Sequence, residues 1–544
     1  MTDVEPRIDP AEASAADGGP PGPARRSDRL DRRRRAARAE IARVWASAVI
    51  LTAVCLVAAL YLPGQLVGAV LALLSIVVVL RKAIFGWTGL LMILLAVIMF
   101  LPVRRYKLPI PLPFALEPYR AVLVVVALGI IISLLVDPRF RWRRSGFGGA
   151  IGFFLATLTA SLAVNTGELA DQGLLNTSLG GLLNYVFLFG VFFIVRVLLR
   201  SEEIVQRVVM FLAAAGGIIG LGAVVERYLG FNVFMALGGW LQLQRMADPS
   251  ELVRSGGARA FGSAQHPIAL SVLFCMLLPL AIYLARHATK PMRTASGCRI
   301  FWLATAMAML AGLICTVSRT SFVILGVMVV LGIMVRPRIF RPLVLIGLPL
   351  AAVAALAAPR VVLGIFREFL DTDELIASQY ASAGWTGSGR LADLGPGIEE
   401  ALRSPFFGIG VGSRIVVGPE ANAFILDDQL LNTFIESGFL GLLGVVVLLA
   451  YPAVRLWRFS HSPTTPDRWT DLGAALSVIL LGYLVALFFF DGFGFLQTVL
   501  VASIMLAIGG FLITEIPWTK RPSVATLIRA RERAERTGKA PVSG

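Results

Sequence analysis

Two polar segments of this 544-residue chain carry side chains that could bind a phosphate group. Ser318-Arg319-Thr320 forms a short link between two apolar runs, and Arg259 lies in a glycine-rich stretch that ends at His266. A guanidinium presents forked N–H donors that match phosphate oxygens, and the hydroxyls of Ser318 and Thr320 could add hydrogen bonds. Because an ionised side chain beside a bilayer is costly, we expect Arg319 either to snorkel to the headgroups or to bind an anion.

A second group of candidate residues is acidic and lies later in the chain. Asp427 and Asp428 precede a long apolar run together with Gln429, and Glu436 follows about two helical turns after Asp428, on a similar face. The aspartates could simply cap a helix and complement its dipole. Alternatively, one carboxylate could act as the base that takes a proton from an acceptor hydroxyl.

Other residues of these segments admit two interpretations each. The glycines around Arg259 permit close approach to a ligand but also suit an ordinary flexible loop, and His266 could be a base or an interfacial residue. Arg390 lies in a 70-residue loop and is a further candidate for phosphate binding. The four cysteines show no paired spacing, and His266 is the only one of the three histidines predicted on the outer side, so we expect no metal site.

The elements that position these residues are apolar runs long enough to cross a membrane. The chain is 57% hydrophobic and 15% charged, whereas an average soluble domain is about 25% charged. Since about 20 apolar residues cross a bilayer as a helix, the sequence predicts an all-α polytopic membrane protein with about 12–14 transmembrane helices. The candidate runs lie near 42–62, 64–80, 84–102, 120–136, 149–164, 181–199, 204–226, 267–285, 299–317, 320–335, 342–358, 429–453, 472–490 and 495–514.

The distribution of charge predicts the orientation. With both termini in the cytoplasm, the cytoplasmic side carries 36 basic and 16 acidic residues, and the other side carries 14 basic and 18 acidic residues. This asymmetry is typical of membrane topology and favours contact with lipid over nucleic-acid binding by the basic tails. The predicted segments are a disordered tail 1–41, transmembrane helices 42–179, a transmembrane core 180–358 with the outer loop 227–266, a long extracytoplasmic loop 359–428, transmembrane helices 429–516, and a basic tail 517–544. Segment 361–380 of the long loop is predicted to form an amphipathic helix on the outer surface.

Taken in order, these motifs resemble the O-antigen ligase and polymerase superfamily of bacterial envelope glycan assembly. The resemblance covers roughly residues 180–455. The motifs that carry it are the segment from Arg259 to Pro267, Ser318-Arg319-Thr320, Gly389-Arg390, Pro405-Phe406-Phe407-Gly408-Ile409-Gly410, Asp428-Gln429-Leu430-Leu431-Asn432 and Glu436-Ser437-Gly438-Phe439-Leu440-Gly441.

The resemblance implies a glycosyltransferase that uses a polyprenyl-diphosphate-linked glycan on the outer face of the cytoplasmic membrane. It implies that Arg259 and Arg319 hold the diphosphate and stabilise the charge of the leaving group, with Arg390 behind them. Ligases of the family carry a histidine where Asp427-Asp428-Gln429 stands here. The sequence therefore resembles polymerase members more closely, with Asp428 as the candidate base and His266 in reserve.

Two other functions fit parts of the sequence. A polysaccharide transporter or lipid flippase is the main alternative, although the chain shows no internal repeat and its candidate charges cluster at one interface. A peptidoglycan polymerase of the shape-and-division family would also lengthen glycans, but that family has about ten spans and different loop carboxylates, so we rank it lower.

Overall fold

The described part of the protein is mostly helical. The computed structural model describes residues 86–109, 116–136, 141–246, 253–254, 257–338, 390–416, 421–423 and 426–518. The helices are α1 (Trp87–Phe100), α2 (Pro118–Val136), α3 (Gly148–Val164), α4 (Thr166–Asp171), α5 (Leu175–Leu198), α6 (Glu202–Leu229), α7 (Val233–Trp240), α8 (Pro267–His287), α9 (Ala295–Cys315), α10 (Arg319–Val335), α11 (Arg390–Arg403), α12 (Gln429–Ser460), α13 (Asp467–Ala486) and α14 (Leu496–Glu515).

Short strands occur only as two antiparallel pairs in the described residues. Strand β1 (Tyr106–Lys107) pairs with β2 (Gln244–Arg245), and β3 (Val253–Arg254) pairs with β4 (Gly257–Ala258). The first pair ties the segment after α1 to the segment after α7, and the second pair lies directly before Arg259.

The predicted all-α polytopic membrane fold is confirmed. Eight of the described helices are long and apolar enough to cross a membrane, and α1, α3 and α10 are shorter apolar helices. Each of these helices corresponds to one predicted run, whereas the runs 42–62, 64–80 and 342–358 lie outside the described residues.

Two helix boundaries differ from the prediction. Helix α5 begins at Leu175 instead of 181, so the predicted division between residues 179 and 180 falls inside one helix. Helix α6 continues to Leu229 and α7 follows it, so the predicted outer loop 227–266 is partly helical. In the sequence, the end of α6 is indicated by Gly230. This glycine adopts φ 67° and donates its N–H to Glu226 O, as is common at helix C-termini.

Three helices form the centre of the bundle. Of the residues in the most apolar part of each helix, 83% are buried in α8 and in α13 and all are buried in α14, whereas only 22% are buried in α2. Helix α2 therefore presents most of its apolar surface outward, as expected for a helix in contact with lipid.

Four helices are tied together by a buried carboxylate at one end of the bundle. Asp471 of α13 lies 2.8 Å from His287 Nε2 and 3.4 Å from Arg336 Nε. Arg336 also donates to Ser460 O at 2.6 Å. These contacts join the final residues of α8, α10 and α12 to the start of α13, and so fix the helices whose opposite ends carry the candidate site.

Helix α12 is broken at Gly438, and a preceding loop repairs the break. Gly438 has φ 65° and ψ −167°, a conformation open to glycine and strained for other residues. The broken hydrogen bonds are replaced by backbone bonds from the loop 404–410, namely Ile409 N to Ile435 O at 3.0 Å, Gly410 N to Glu436 O at 3.0 Å and Phe439 N to Pro405 O at 2.8 Å.

The loop and α12 approach so closely at this break that neither Gly408 nor Gly438 tolerates a side chain. A Cβ at Gly408 would overlap the backbone of Glu436, and a Cβ at Gly438 would overlap the backbone of Phe406. The two glycine motifs recognised in the sequence therefore meet in the fold and hold the long loop against α12.

Candidate active site

The segment that contains Arg259 lies against the junction of α9 and α10, where Arg319 begins α10. Ala260 N donates to Cys315 O at 3.2 Å, and Arg259 Nε donates to Thr316 O at 3.0 Å. Arg319 is the first residue of α10, three positions after Thr316. The segment that contains Arg259 therefore runs along the end of α9, beside the link that leads to Arg319.

The link between α9 and α10 has an unusual backbone. Val317 adopts φ 49°, which is strongly disfavoured for a β-branched residue and is found mainly where the surrounding structure enforces it, often at functional sites. Ser318 is 2% exposed, and its Oγ has no hydrogen-bond partner among the described residues.

The start of α10 has the features of an anion-binding site. Ser318 occupies the N-cap position, but its side chain does not cap the helix in the described structure, whereas Ser321 Oγ donates to Ser318 O at 2.5 Å. Thr320 is buried in the first turn. The N–H groups at a helix start attract anions, and here the first residue of the helix is Arg319.

A buried carboxylate that sequence reasoning missed holds the Arg259 segment. Glu226 is 7% exposed and accepts hydrogen bonds from Gly262 N at 2.8 Å and Phe261 N at 3.3 Å. Asn232 Nδ2 donates to Gly262 O at 2.9 Å. The signal in the sequence is a glutamate at the end of an otherwise apolar run, a position that is costly without such donors.

His266 lies at the start of α8 and caps it. Its Nδ1 accepts from Ile268 N at 3.2 Å, and its ring stacks on Phe495 with centroids 5.5 Å apart. A neutral imidazole that accepts through Nδ1 carries its proton on Nε2. In this geometry His266 can donate a hydrogen bond from Nε2 but is poorly suited to remove a proton.

Asp428 and Gln429 are both engaged at the start of α12. Asp428 is the N-cap, and its Oδ1 accepts from Leu431 N at 3.0 Å. Gln429 is fully buried; its Nε2 donates to Thr433 Oγ1 at 3.0 Å, and its Oε1 accepts from Phe493 N at 2.8 Å. Asp428 therefore caps α12, as one of its two sequence interpretations predicts. The neighbouring Asp427 is half-buried.

Glu436 lies just before the break in α12. It is 7% exposed, and its carboxylate accepts a hydrogen bond from the backbone of Gly412. Its backbone oxygen also accepts from Ser161 Oγ at 2.8 Å. The backbone just after the motif Pro405–Gly410 therefore contacts the carboxylate of Glu436, one of the candidate residues from the sequence.

Arg414, which sequence reasoning missed, lies shortly after that motif. Its side chain is 3% exposed and its Nε lies 3.8 Å from Glu400 Oε1. Its Nη1 donates to Asn432 Oδ1 at 2.6 Å, and it interacts electrostatically with Glu436 and Asp491. Burial lowers the pKa of Arg414 from its usual value, but a guanidinium stays protonated under all ordinary conditions.

Asp491 was also missed, and it lies in the link between α13 and α14. Its Oδ1 accepts from Gly494 N at 3.0 Å, and it interacts electrostatically with Asp427, Arg104 and Arg414. Burial is the main cause that raises the pKa of Asp491. The signal in the sequence is an aspartate among phenylalanines and glycines between two apolar runs.

The link around Asp491 connects the arginine and carboxylate parts of the site. Phe493 N donates to Gln429 at the start of α12, while Phe495 stacks on His266 at the start of α8. Gln265 Oε1 accepts from Leu496 N at 2.9 Å. One short segment therefore contacts the helix starts that follow the Arg259 segment and the long loop.

Two predictions about the long loop concern residues that the structure does not fully describe. Arg390 begins α11, but its side chain lies outside the described part of the structure, as does the predicted amphipathic segment 361–380. Among the described residues, no group of three or more histidine, cysteine, aspartate or glutamate side chains could hold a metal ion.

Comparison with known families supports the identification made from the motifs. Residues 304–446 match the family model described as O-antigen ligase, a segment that contains Arg319, Asp428 and Glu436. Over these residues the match agrees with the predicted O-antigen ligase/polymerase superfamily, and with the apolar helices it indicates a bacterial membrane protein. No curated protein matches the chain.

Proposed function

We propose that this member of the O-antigen ligase/polymerase superfamily transfers glycan from a polyprenyl-diphosphate-linked donor to an acceptor hydroxyl. The reaction takes place on the outer face of the bacterial cytoplasmic membrane, and both termini lie in the cytoplasm. The observation that carries the proposal is the position of Arg259 beside the strained link before Arg319. This arrangement offers two guanidiniums and the start of α10 to a diphosphate group.

The arginines act on the leaving group. As the acceptor oxygen bonds to the anomeric carbon of the donor sugar, the bond from that carbon to the diphosphate oxygen breaks, and negative charge grows on the diphosphate. Preorganised cationic donors stabilise such charge more in the transition state than in the ground state. Arg319 and Arg259 supply them, with Ser318 and Thr320 as hydroxyl donors and Arg390 as a further cation from the long loop.

The carboxylates act on the acceptor. Asp428 and Asp427 take or share the proton that the attacking hydroxyl loses, and Glu436 and Gln429 support the start of α12 around them. The capping bond from Leu431 occupies one oxygen of Asp428, while its second oxygen and the half-buried Asp427 carry the acceptor contact. His266 serves as a hydrogen-bond donor at the same interface.

Polymerisation is favoured over ligation, since aspartates stand where ligases of the family carry a histidine. The donor and the growing chain are then both polyprenyl-diphosphate glycans, and no metal ion or cofactor takes part. Membrane lipids surround the site, and nucleic acid is not a partner.

Incubation of the purified protein with a polyprenyl-diphosphate oligosaccharide in the presence of EDTA tests this function. Chains longer than the supplied oligosaccharide would support a polymerase, whereas a single transfer to a separate acceptor would identify a ligase. If no new glycosidic bond forms while the lipid-linked oligosaccharide crosses vesicle membranes, the protein is a transporter or flippase and the proposal is wrong. Loss of activity in EDTA that added divalent ion restores would contradict the metal-free reaction.

A further inference from the structure

A basic cleft lies at the opposite end of α14 from the candidate active site. Its volume is about 470 Å³, and it is lined by Trp142, Arg143, Arg144, Ser145, Gly146 and Thr514. Helix α14 begins beside Gln265 and His266 and runs for 20 residues to Glu515, about 30 Å at 1.5 Å per residue. The cleft therefore opens at the other membrane surface.

The charge of the cleft is positive. Arg196 is buried and donates to Thr514 Oγ1 at 2.6 Å and Glu515 Oε1 at 2.7 Å, and Arg143 Nη1 lies 3.4 Å from the same Glu515 oxygen. The carboxylate of Glu515 thus forms ion pairs with two guanidiniums. Arg144 is exposed at the rim of the cleft. The surplus cations leave the cleft suited to an anion.

The floor of the cleft is held by close backbone contacts. Gly146 adopts φ 79°, and a Cβ there would lie 3.0 Å from Gly510 Cα; a Cβ at Gly510 would overlap the carbonyl oxygen of Ser145. The segment 145–146 is therefore pressed against α14 without intervening side chains. A site built in this way is formed before any ligand arrives.

The rim of the cleft also offers an aromatic surface. Trp142 is 56% exposed, and its ring centroid lies 6.3 Å from that of Phe193 on α5. Exposed tryptophans at the ends of membrane helices favour the headgroup region of the bilayer. A ligand here would meet cations on one side and an apolar ring on the other.

We propose that this cleft binds the phosphate headgroup of an anionic phospholipid, in the leaflet opposite the glycan site. Arg143 and Arg144 contact the phosphate, and Trp142 lies against the glycerol and the first part of the acyl chains. The volume lies within the ~300–1,000 Å³ of small-molecule sites, and basic clefts between membrane helices are suited to anionic headgroups. A free phosphate ion would leave the ring of Trp142 without a partner.

Native mass spectrometry of the full-length protein with phosphatidylglycerol or phosphatidylcholine tests this site. We expect the wild type to retain phosphatidylglycerol preferentially, and Arg143→Gln/Arg144→Gln to weaken this binding about tenfold or more, since each basic residue near an anionic membrane contributes measurably. Arg144→Gln alone leaves both contacts of Glu515 in place and should still weaken binding several-fold. The melting temperature of each variant in detergent confirms that it is folded.

The matched control is Arg299→Gln/Arg338→Gln. Arg299 lies near the start of α9 and Arg338 lies just past the end of α10; both are exposed and outside the cleft. This variant has the same change of charge and should bind phosphatidylglycerol like the wild type. Equal lipid binding by the two double variants would overturn the proposal. Displacement of bound phosphatidylglycerol by millimolar inorganic phosphate would assign the cleft to a soluble anion and would also overturn it.

Discussion

Two places in the molecule interrupt an apolar helix, and they differ in how their polar groups are satisfied. At Gly438 in α12, the loop 404–410 supplies backbone hydrogen bonds on both sides of the break. At the link between α9 and α10, Val317 is held at φ 49°, and Ser318 Oγ is buried without a partner among the described residues. At the first interruption the loop replaces the lost backbone bonds. At the second, the Arg259 segment donates to Cys315 O and Thr316 O, but the Ser318 hydroxyl keeps no partner among the described residues.

This difference separates a structural joint from a ligand site. In the membrane, polar groups must be satisfied by the protein or by a cavity that holds something polar. The break at Gly438 is complete in itself, so its value is to position Glu436 and the long loop. The α9–α10 link places a buried hydroxyl, that of Ser318, at a helix start whose first residue is Arg319, and such donors suit a charged substrate.

The largest expected effect is at the link between α9 and α10. Arg319→Ala should lower glycan transfer by about 10²–10³-fold, the cost typical of removing one preorganised donor to a developing anion. The measurement is the rate of transfer from a polyprenyl-diphosphate oligosaccharide, with membrane insertion followed by the yield of folded protein.

Arg338→Ala is the control for Arg319→Ala. Arg338 lies just past the other end of α10 and is exposed, so its loss should leave the transfer rate unchanged. Full activity of Arg319→Ala would remove the distinction between the two interruptions and with it the assignment of the site.

At the repaired break the expected effect is on stability. Gly438→Ala should destabilise the protein by more than about 2 kcal/mol, since a left-handed conformation alone costs a non-glycine residue ~1–2 kcal/mol and the Cβ would also overlap Phe406. The measurement is thermal unfolding in detergent. Gly326→Ala in α10 is the control, because a Cβ there meets nothing within 4 Å; equal melting of the two variants would show that the joint is not needed.

The helices could be predicted from the sequence because lipid imposes a simple rule on them. Continuous apolar runs give the spans, and the eight helices long enough to cross a membrane, with α1, α3 and α10, each match a predicted run. The ends of the helices were predicted less accurately. Helix α5 begins at Leu175 because polar residues such as Asn176 and Thr177 extend the helix beyond its apolar part.

The site was only partly predictable, because its parts come from distant segments. Arg259 and Arg319 were found since each breaks the charge asymmetry close to a span. Glu226, Arg414 and Asp491 were missed: their importance depends on donors and charges that come from other helices, and no local pattern records those contacts.

Asp491 connects the two halves of the site and gives a pH-dependent test of that connection. Burial raises its pKa above the ordinary 3.8, so the fold favours the protonated form, and the resulting stability is lost as pH rises through the raised pKa. Asp491→Asn stays neutral and keeps an acceptor for Gly494 N–H. Its thermal stability relative to the wild type should therefore increase from acidic to neutral pH.

The same substitution at Asp171, which is exposed at the end of α4, is the control for exchanging a surface carboxylate for an amide. If Asp491→Asn and the wild type keep a constant difference in melting temperature across this range, the carboxyl is not held in an environment that disfavours its charge. The link between α13 and α14 would then belong with the structural joint rather than with the substrate site.

The smallest expected effect separates capping from chemistry at Asp428. Asp428→Ala should cost about 1 kcal/mol of stability through the lost cap, whereas Asp428→Asn should cost almost nothing, since asparagine caps equally well. Thermal unfolding checks both values. The transfer rate adds the decisive comparison, because asparagine retains the bond from Leu431 N but cannot accept a proton. We expect Asp428→Asn to be as stable as the wild type and at least about tenfold slower in transfer. If it is equally stable and equally active, Asp428 is a cap alone, and the start of α12 belongs with Gly438 among the elements that only hold the site together.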